Sequence, residues 1–116
     1  MAYGDGTARV LDALGDPTRR AVLELLRDGA KPVVAIADRL PVSRPAVSQH
    51  LRVLKDAGLV RDRRDGTRRL YRVDTTGLSA LRAYVESYWD TALAAFKDAA
   101  EEAARGGDGA GRGGNR

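Results

Sequence analysis

Residues 43 to 73 confine this chain more tightly than any other stretch. They read Ser43-Arg-Pro-Ala-Val-Ser-Gln-His-Leu-Arg-Val-Leu-Lys-Asp-Ala-Gly-Leu-Val60, then Arg61-Asp-Arg-Arg-Asp-Gly-Thr-Arg-Arg-Leu-Tyr-Arg-Val73. The first part has a helix's punctuation. The Ser43 hydroxyl can accept from the amide of Ala46, Val42 and Val47 stand at the two positions of a hydrophobic staple, and Gly58 supplies the stop. The second part predicts two strands, Leu59 to Arg64 and Thr67 to Val73, joined through Asp65-Gly66. Asp-Gly suits a two-residue type I′ turn, whose central residues both need positive φ. In that register Val60 faces Tyr71 and Asp62 faces Arg69, so packing and charge agree with it.

Three shorter helices are expected upstream. Thr7 to Leu14 carries Val10, Leu11 and Leu14 on one side and ends at Gly15. Asp16-Pro17 starts a second helix, because Asp caps the orphan amides and Pro tolerates the first position. It runs to about Arg27 with Ala21, Val22, Leu25 and Leu26 inward. Val33 to Leu40 forms a short third helix burying Val34, Ala37 and Leu40, and Pro41-Val42-Ser43 turns the chain into the fourth. From about Thr75 the pattern is helical again, with Leu78, Leu81, Val85, Tyr88, Ala92 and Phe96 at steps of three and four. The fold class expected is therefore mainly α with a small β-hairpin wing. This is a winged helix-turn-helix of order α-α-α-α-β-β-α, acting as a dimer. Residues 1–6 are expected to be a flexible arm, 7–104 the folded domain, and 105–116 a disordered tail rich in Gly and Arg.

Charge sharpens this reading. The net charge of the 116 residues is +4, but segment 43 to 73 alone holds nine Arg or Lys against three Asp, leaving the remainder slightly acidic. A basic patch on a faintly acidic body is the footprint of a polyanion binder. The chain has no cysteine, which excludes disulfides and thiolate metal sites and fits a reducing cytoplasm. No apolar run is longer than Val33 to Ala37, which is far too short to span a bilayer, so no membrane role is expected.

At 100° per residue, Val47, Leu51 and Leu54 fall on one side of the fourth helix. Pro45, Ala46, Gln49 and Arg52 fall opposite, with Ser48 and His50 on the flanks. Small residues near the N-terminus and hydrogen-bonding ones beyond them suit a helix that enters the major groove of double-stranded DNA. Gln can pair bidentately with adenine and Arg with guanine. Ser43, Arg44, Ser48 and the helix N-terminus can hold phosphates. His50, the single histidine, has no partner at metal-ligand spacing; contact at the DNA surface and a plain structural role both fit it. The hairpin tip (Arg63, Arg64, Thr67, Arg68, with Arg69 behind) can reach phosphates and the adjacent minor groove. The bland alternative is that these charges only keep a sheet edge from aggregating.

These residues, with Leu14-Gly-Asp-Pro-Thr-Arg-Arg20 upstream, resemble the arsenical-resistance repressor (ArsR) family of bacterial regulators over about residues 9 to 98. Asp16-Pro-Thr-Arg19, Ser48-Gln-His-Leu51 and Ala57-Gly-Leu-Val60 carry the resemblance. It implies a homodimer joined through first and last helices, bound to a near-palindromic operator and usually repressing transcription. The chain departs from the metal sensors of that family. Where arsenic sensors have a cysteine pair it has Val33-Val-Ala-Ile-Ala-Asp38. Where zinc sensors have His with carboxylates on the last helix, it has Glu86 and Asp90 and no His. No metal and no other cofactor is expected, and the effector, if one exists, is not indicated.

The last helix carries more apolar surface than one small domain needs. Leu78 and Leu81 suit the core. Tyr84, Val85, Tyr88, Trp89, Ala92, Leu93 and Phe96, with Val10, Leu11 and Leu14 of the first helix, suit a second copy of the chain. Alternatives for these rings are plain intramolecular core or an effector pocket near Tyr84 to Trp89, and for the whole chain a winged-helix module whose arginines meet an acidic protein. No nucleophile–base–orienter set or phosphate-cradling glycine loop points to an enzyme.

Overall fold

The joint between the first two helices shows how locally much of this fold is written. In the computed structural model, which describes residues 5–110, α1 spans Asp5–Leu14 and α2 spans Pro17–Leu25. The Asp16 carboxylate accepts from the amides of Thr18 (2.7 Å) and Arg19 (3.1 Å), capping α2. Arg19 and Arg20 then reach back to α1. Arg19 Nε donates to the Ala13 carbonyl and Arg20 Nη1 to the Leu14 carbonyl, both at 2.8 Å. The six residues Gly15 to Arg20 thus satisfy the start of one helix and the end of another.

The remaining elements are α3 (Val33–Ala37), α4 (Arg44–Asp56), β1 (Val60–Asp65), β2 (Arg68–Val73) and α5 (Thr75–Ala110), in the expected order. The chain forms two compact units, one up to Tyr84 and one from Val85. In the first, Val10, Ala13, Val22, Leu26, Ile36, Val47, Leu51, Leu54, Leu59 and Val60 make the core, with Leu78 and Leu81 packed partly buried against it. The second consists of the continuing α5, along which every described side chain is exposed.

Several expectations are corrected. Val10, expected at a dimer interface, is 1% exposed within its own chain's core, because it and Ala13 turn the same face of α1 inward. Leu11 and Leu14 lie half-buried beside it. In α3 the inward residue is Ile36, whereas Val34 is 38% exposed. The reason lies outside the helix. Lys31 and Tyr71 exchange both backbone hydrogen bonds at 2.9 Å, which ties the connection to β2 and sets the phase at which α3 begins.

The hairpin register is also shifted. Val60 pairs with Val73, Asp62 with Tyr71 and Asp65 with Arg68, so the turn residues are Gly66 and Thr67 rather than Asp65 and Gly66. Gly66, at φ 66°, takes the left-handed first position that primed hairpin turns need. Asp65 instead ends β1.

Helix α1 begins at Asp5, inside the stretch expected to be a flexible arm, and α5 continues to Ala110, inside the expected tail. Ala99 to Arg105 is made of strong helix formers, and Arg105 pairs with Glu102 one turn back, which carries the helix to the edge of the expected tail; the continuation through Gly106 to Ala110 has no local propensity behind it. The rest of both expectations, residues 1–4 and 111–116, lies outside the described residues.

Candidate nucleic-acid interface

Helix α4 is held from behind and open in front. Val47, Leu51 and Leu54 are 0% exposed, while Ser43, Arg44, Pro45, Ser48, Gln49 and Arg52 are exposed and Ala46 half-buried. Ser43 caps the helix, its hydroxyl accepting from the amide of Ala46 at 3.2 Å. Val53, half-buried, packs against the core and takes no part in the outward face. The periodicity therefore separates the two faces correctly along the whole helix.

His50 is half-buried on a flank. The Asp16 carboxyl is held below the usual carboxylate range, with the amide of Arg19 the largest cause and the nearby imidazole of His50 the last. That places His50 toward the cap of α2, a position compatible with both of its expected roles.

The hairpin presents Arg63, Arg64, Thr67, Arg68 and Arg69, all exposed. They are not equivalent. Arg68 stands 3.6 Å from Asp65 across the turn. Arg69 Nη1 is 2.9 Å from Asp62 Oδ2, while Lys55 Nζ from the end of α4 is 2.8 Å from Asp62 Oδ1. One carboxylate, its side chain 6% exposed, thus holds a cation from the helix and a cation from the hairpin. The hydrogen bond from Lys55 is the largest cause that lowers the Asp62 carboxyl, against a burial that raises it. Sequence reading paired Asp62 with Arg69 but missed Lys55. A basic residue in the last turn of α4, seven positions before a strand carboxylate, was the available signal.

Two open grooves flank this bridge. One, of about 600 Å³, runs between α4 and the hairpin past Ser48, Arg52, Lys55, Asp62 and Arg69. The other, about 380 Å³, has Val33, Val34 and Tyr71 in its floor and Arg44, Arg68 and Arg69 at its edge. The interface candidates of helix and hairpin therefore share one basic surface.

The surface expected to meet a second copy is apolar and open along α5. Val85, Tyr88, Trp89, Leu93 and Phe96 are 43–74% exposed, Ala92 is exposed, and Tyr84 is half-buried. Among the described residues no three His, Cys, Asp or Glu gather as a metal site, and no helix is long and apolar enough to cross a membrane.

Comparison with known proteins gives a consistent result. Residues 14–63 match a helix-turn-helix domain family. The chain is 54% identical over 88 residues to the HTH-type transcriptional regulator Rv2034 of Mycobacterium tuberculosis, covering 76% of this chain and 82% of that one. It is 41% identical over 69 residues to the transcriptional repressor SdpR of Bacillus subtilis, covering 60% and 77%. Among solved structures, it superposes with a TM-score of 0.61 on the homodimeric winged helix-turn-helix DNA-binding domain of Mycobacterium bovis Mb0332, a possible ArsR-family transcriptional regulator. That pair is 38% identical and spans 74% of this chain and 80% of the other.

Proposed function

Because this chain belongs to the ArsR family of winged helix-turn-helix transcriptional regulators, we propose that it is a homodimeric cytoplasmic repressor that occupies a near-palindromic operator. The observation that carries this is the division of α4. Its apolar face is sealed at Val47, Leu51 and Leu54, and its polar face stands open beside the arginine hairpin.

Gln49 and Arg52 read base edges, with Pro45, Ala46 and Ser48 small enough to let the helix approach. Ser43, Arg44, Arg63, Arg64, Thr67 and Arg68 hold phosphates and the minor groove. Arg69 does so only with the charge left over from Asp62. The open stripe of α5 joins two copies, which sets the recognition helices about 34 Å apart, one turn of duplex. Repression follows by occupancy of the promoter. With no cysteine and a single histidine, the chain lacks the thiolate and multi-histidine ligand sets that a transition-metal sensor would use.

The test is selection of bound fragments from genomic DNA at stated salt, followed by the same selection with Gln49→Ala and Arg52→Ala. A palindromic consensus that relaxes in both variants is expected. A wild-type protein that enriches no sequence would favour a protein-binding module instead.

A second reading, effector gating, draws on one further observation. Leu14, Leu23, Val73 and Leu78 line an open apolar groove of about 280 Å³, rimmed by Arg20, Glu24 and Arg27. This is at the small end of ligand-site volumes. Thermal-shift screening with small apolar acids tests that reading.

A further inference from the structure

The bridge at Asp62 is costly for a protein that holds a polyanion. A carboxylate has been set into the middle of the basic surface, between the C-terminal turn of α4 and β2. It faces Lys55 Nζ at 2.8 Å and Arg69 Nη1 at 2.9 Å. The Lys55 and Arg69 side chains are still about half exposed (54% and 51%), so their stems run over the surface while their charged ends turn to Asp62. The Asp62 side chain is 6% exposed, so these two cations are the charges that face it.

Neither stability nor sheet pairing requires this arrangement. Asp is disfavoured in strands, and an apolar or Thr side chain would fill a half-covered β1 position as well. Only the carboxylate is buried while both cations stay half in solvent, and ion pairs with such exposed partners contribute little to stability. What the cluster does change is the number of cations free to displace counterions from a duplex. Every free cation that meets a phosphate adds affinity for DNA of any sequence. Lys55 and Arg69 line the same groove as Arg52, the residue assigned to base readout.

We propose that Asp62 is a specificity-setting positioning residue, which holds Lys55 and Arg69 off the DNA backbone and so lowers affinity for duplex of arbitrary sequence. The proposal rests on the DNA-binding reading above. Asp62 touches no base or phosphate; it acts through the two cations. Two cations on one carboxylate leave one net positive charge, and removing the carboxylate leaves two.

The experiment measures binding of the full-length protein to a 30-base-pair duplex of random sequence across a salt series. Wild type, Asp62→Asn, Asp62→Glu, and the double variant Asp62→Asn with Lys55→Gln are compared. Asp62→Asn should bind more tightly at low salt, with the slope of log K against log salt steeper by about one unit per protomer. Asp62→Glu should keep the wild-type slope, and the double variant should return to it. Asp62→Thr, which suits a strand, supplies the same loss of charge if Asp62→Asn does not fold. A merely structural Asp62 would lower the unfolding temperature and leave the slope alone. A slope unchanged in the neutral variants, while wild type binds, overturns the proposal and leaves the DNA-binding reading intact. A wild type with no salt-dependent duplex binding overturns both.

Discussion

The amide of Gly77 donates to the carbonyl of Gly58 over 2.7 Å, so the first turn of α5 lies directly against the end of α4. A Cβ on Gly77 would stand 2.8 Å from the carbonyl oxygens of both Ala57 and Gly58. These are backbone atoms at the exit of the recognition helix and cannot step aside independently. Gly77→Ala should therefore destabilise the protein by about 1–3 kcal/mol through overpacking. Gly58, at φ 77°, is the other half of the contact. Gly58→Ala should cost about 1 kcal/mol or more from left-handed strain alone. Urea denaturation of both variants checks this, and Gly66→Ala, in open space, separates strain from crowding.

Base-reading and phosphate-holding residues should part company in binding assays. Gln49→Ala and Arg52→Ala should each cost about 1–3 kcal/mol on the selected operator and narrow the gap to random DNA. Arg64→Ala and Arg68→Ala should weaken every sequence alike and flatten the salt dependence by about one unit. Parallel titrations on operator and random duplex at several salt concentrations distinguish the two patterns.

The apolar stripe of α5 is the surface proposed to join two copies. Trp89 and Phe96 are 62% and 74% exposed, a large aromatic surface to leave in water. Trp89→Glu with Leu93→Glu should shift the protein to monomer in sedimentation equilibrium. Far-ultraviolet circular dichroism should retain the helical signal of the unit up to Tyr84. Operator affinity should fall steeply, because one recognition helix reads only half a site.

Acid should unfold this protein through its capped and bridged carboxylates. Asp16 is lowered chiefly by the Arg19 amide, Asp28 by the Lys31 hydrogen bond, Asp62 by Lys55 and Asp74 by the Thr76 amide. A carboxyl that is more acidic folded than unfolded adds stability above its unfolded pKa of about 3.9. That contribution disappears as pH falls through the folded value. The urea midpoint should be flat near neutral pH and fall below about pH 4, and less steeply in Asp62→Asn. A midpoint that rose on acidification would contradict the sign.

Much of this molecule was legible along the chain because the signals are local. Asp16 caps α2 from the preceding position, and Ser43 caps α4 through an amide three residues on. Val47, Leu51 and Leu54 fall on one face because the helix repeats every 3.6 residues, so the outward position of Gln49 and Arg52 followed from arithmetic. The hairpin shows where such reasoning stops. Asp62 and Arg69 form their ion pair, yet they are diagonal neighbours rather than opposite ones. The expected and observed registers differ by two residues, a shift that keeps every side chain on its face. Charge and burial were therefore compatible with both.

What the sequence by itself determined was the order of elements, the caps, the two faces of α4 and the basic hairpin. Each depends on residues within one or two turns of each other. The tertiary structure alone decided that Val10 belongs to the core, that Ile36 rather than Val34 turns inward, and that Lys55 closes on Asp62. Tertiary structure also set the backbone contact of Gly77 with Gly58. These depend on which distant segments meet, and Lys31 pairing with Tyr71 or α5 starting against α4 leaves no local periodic trace. Chain geometry fixes what neighbours in sequence can do; close packing of remote segments selects among the arrangements that remain.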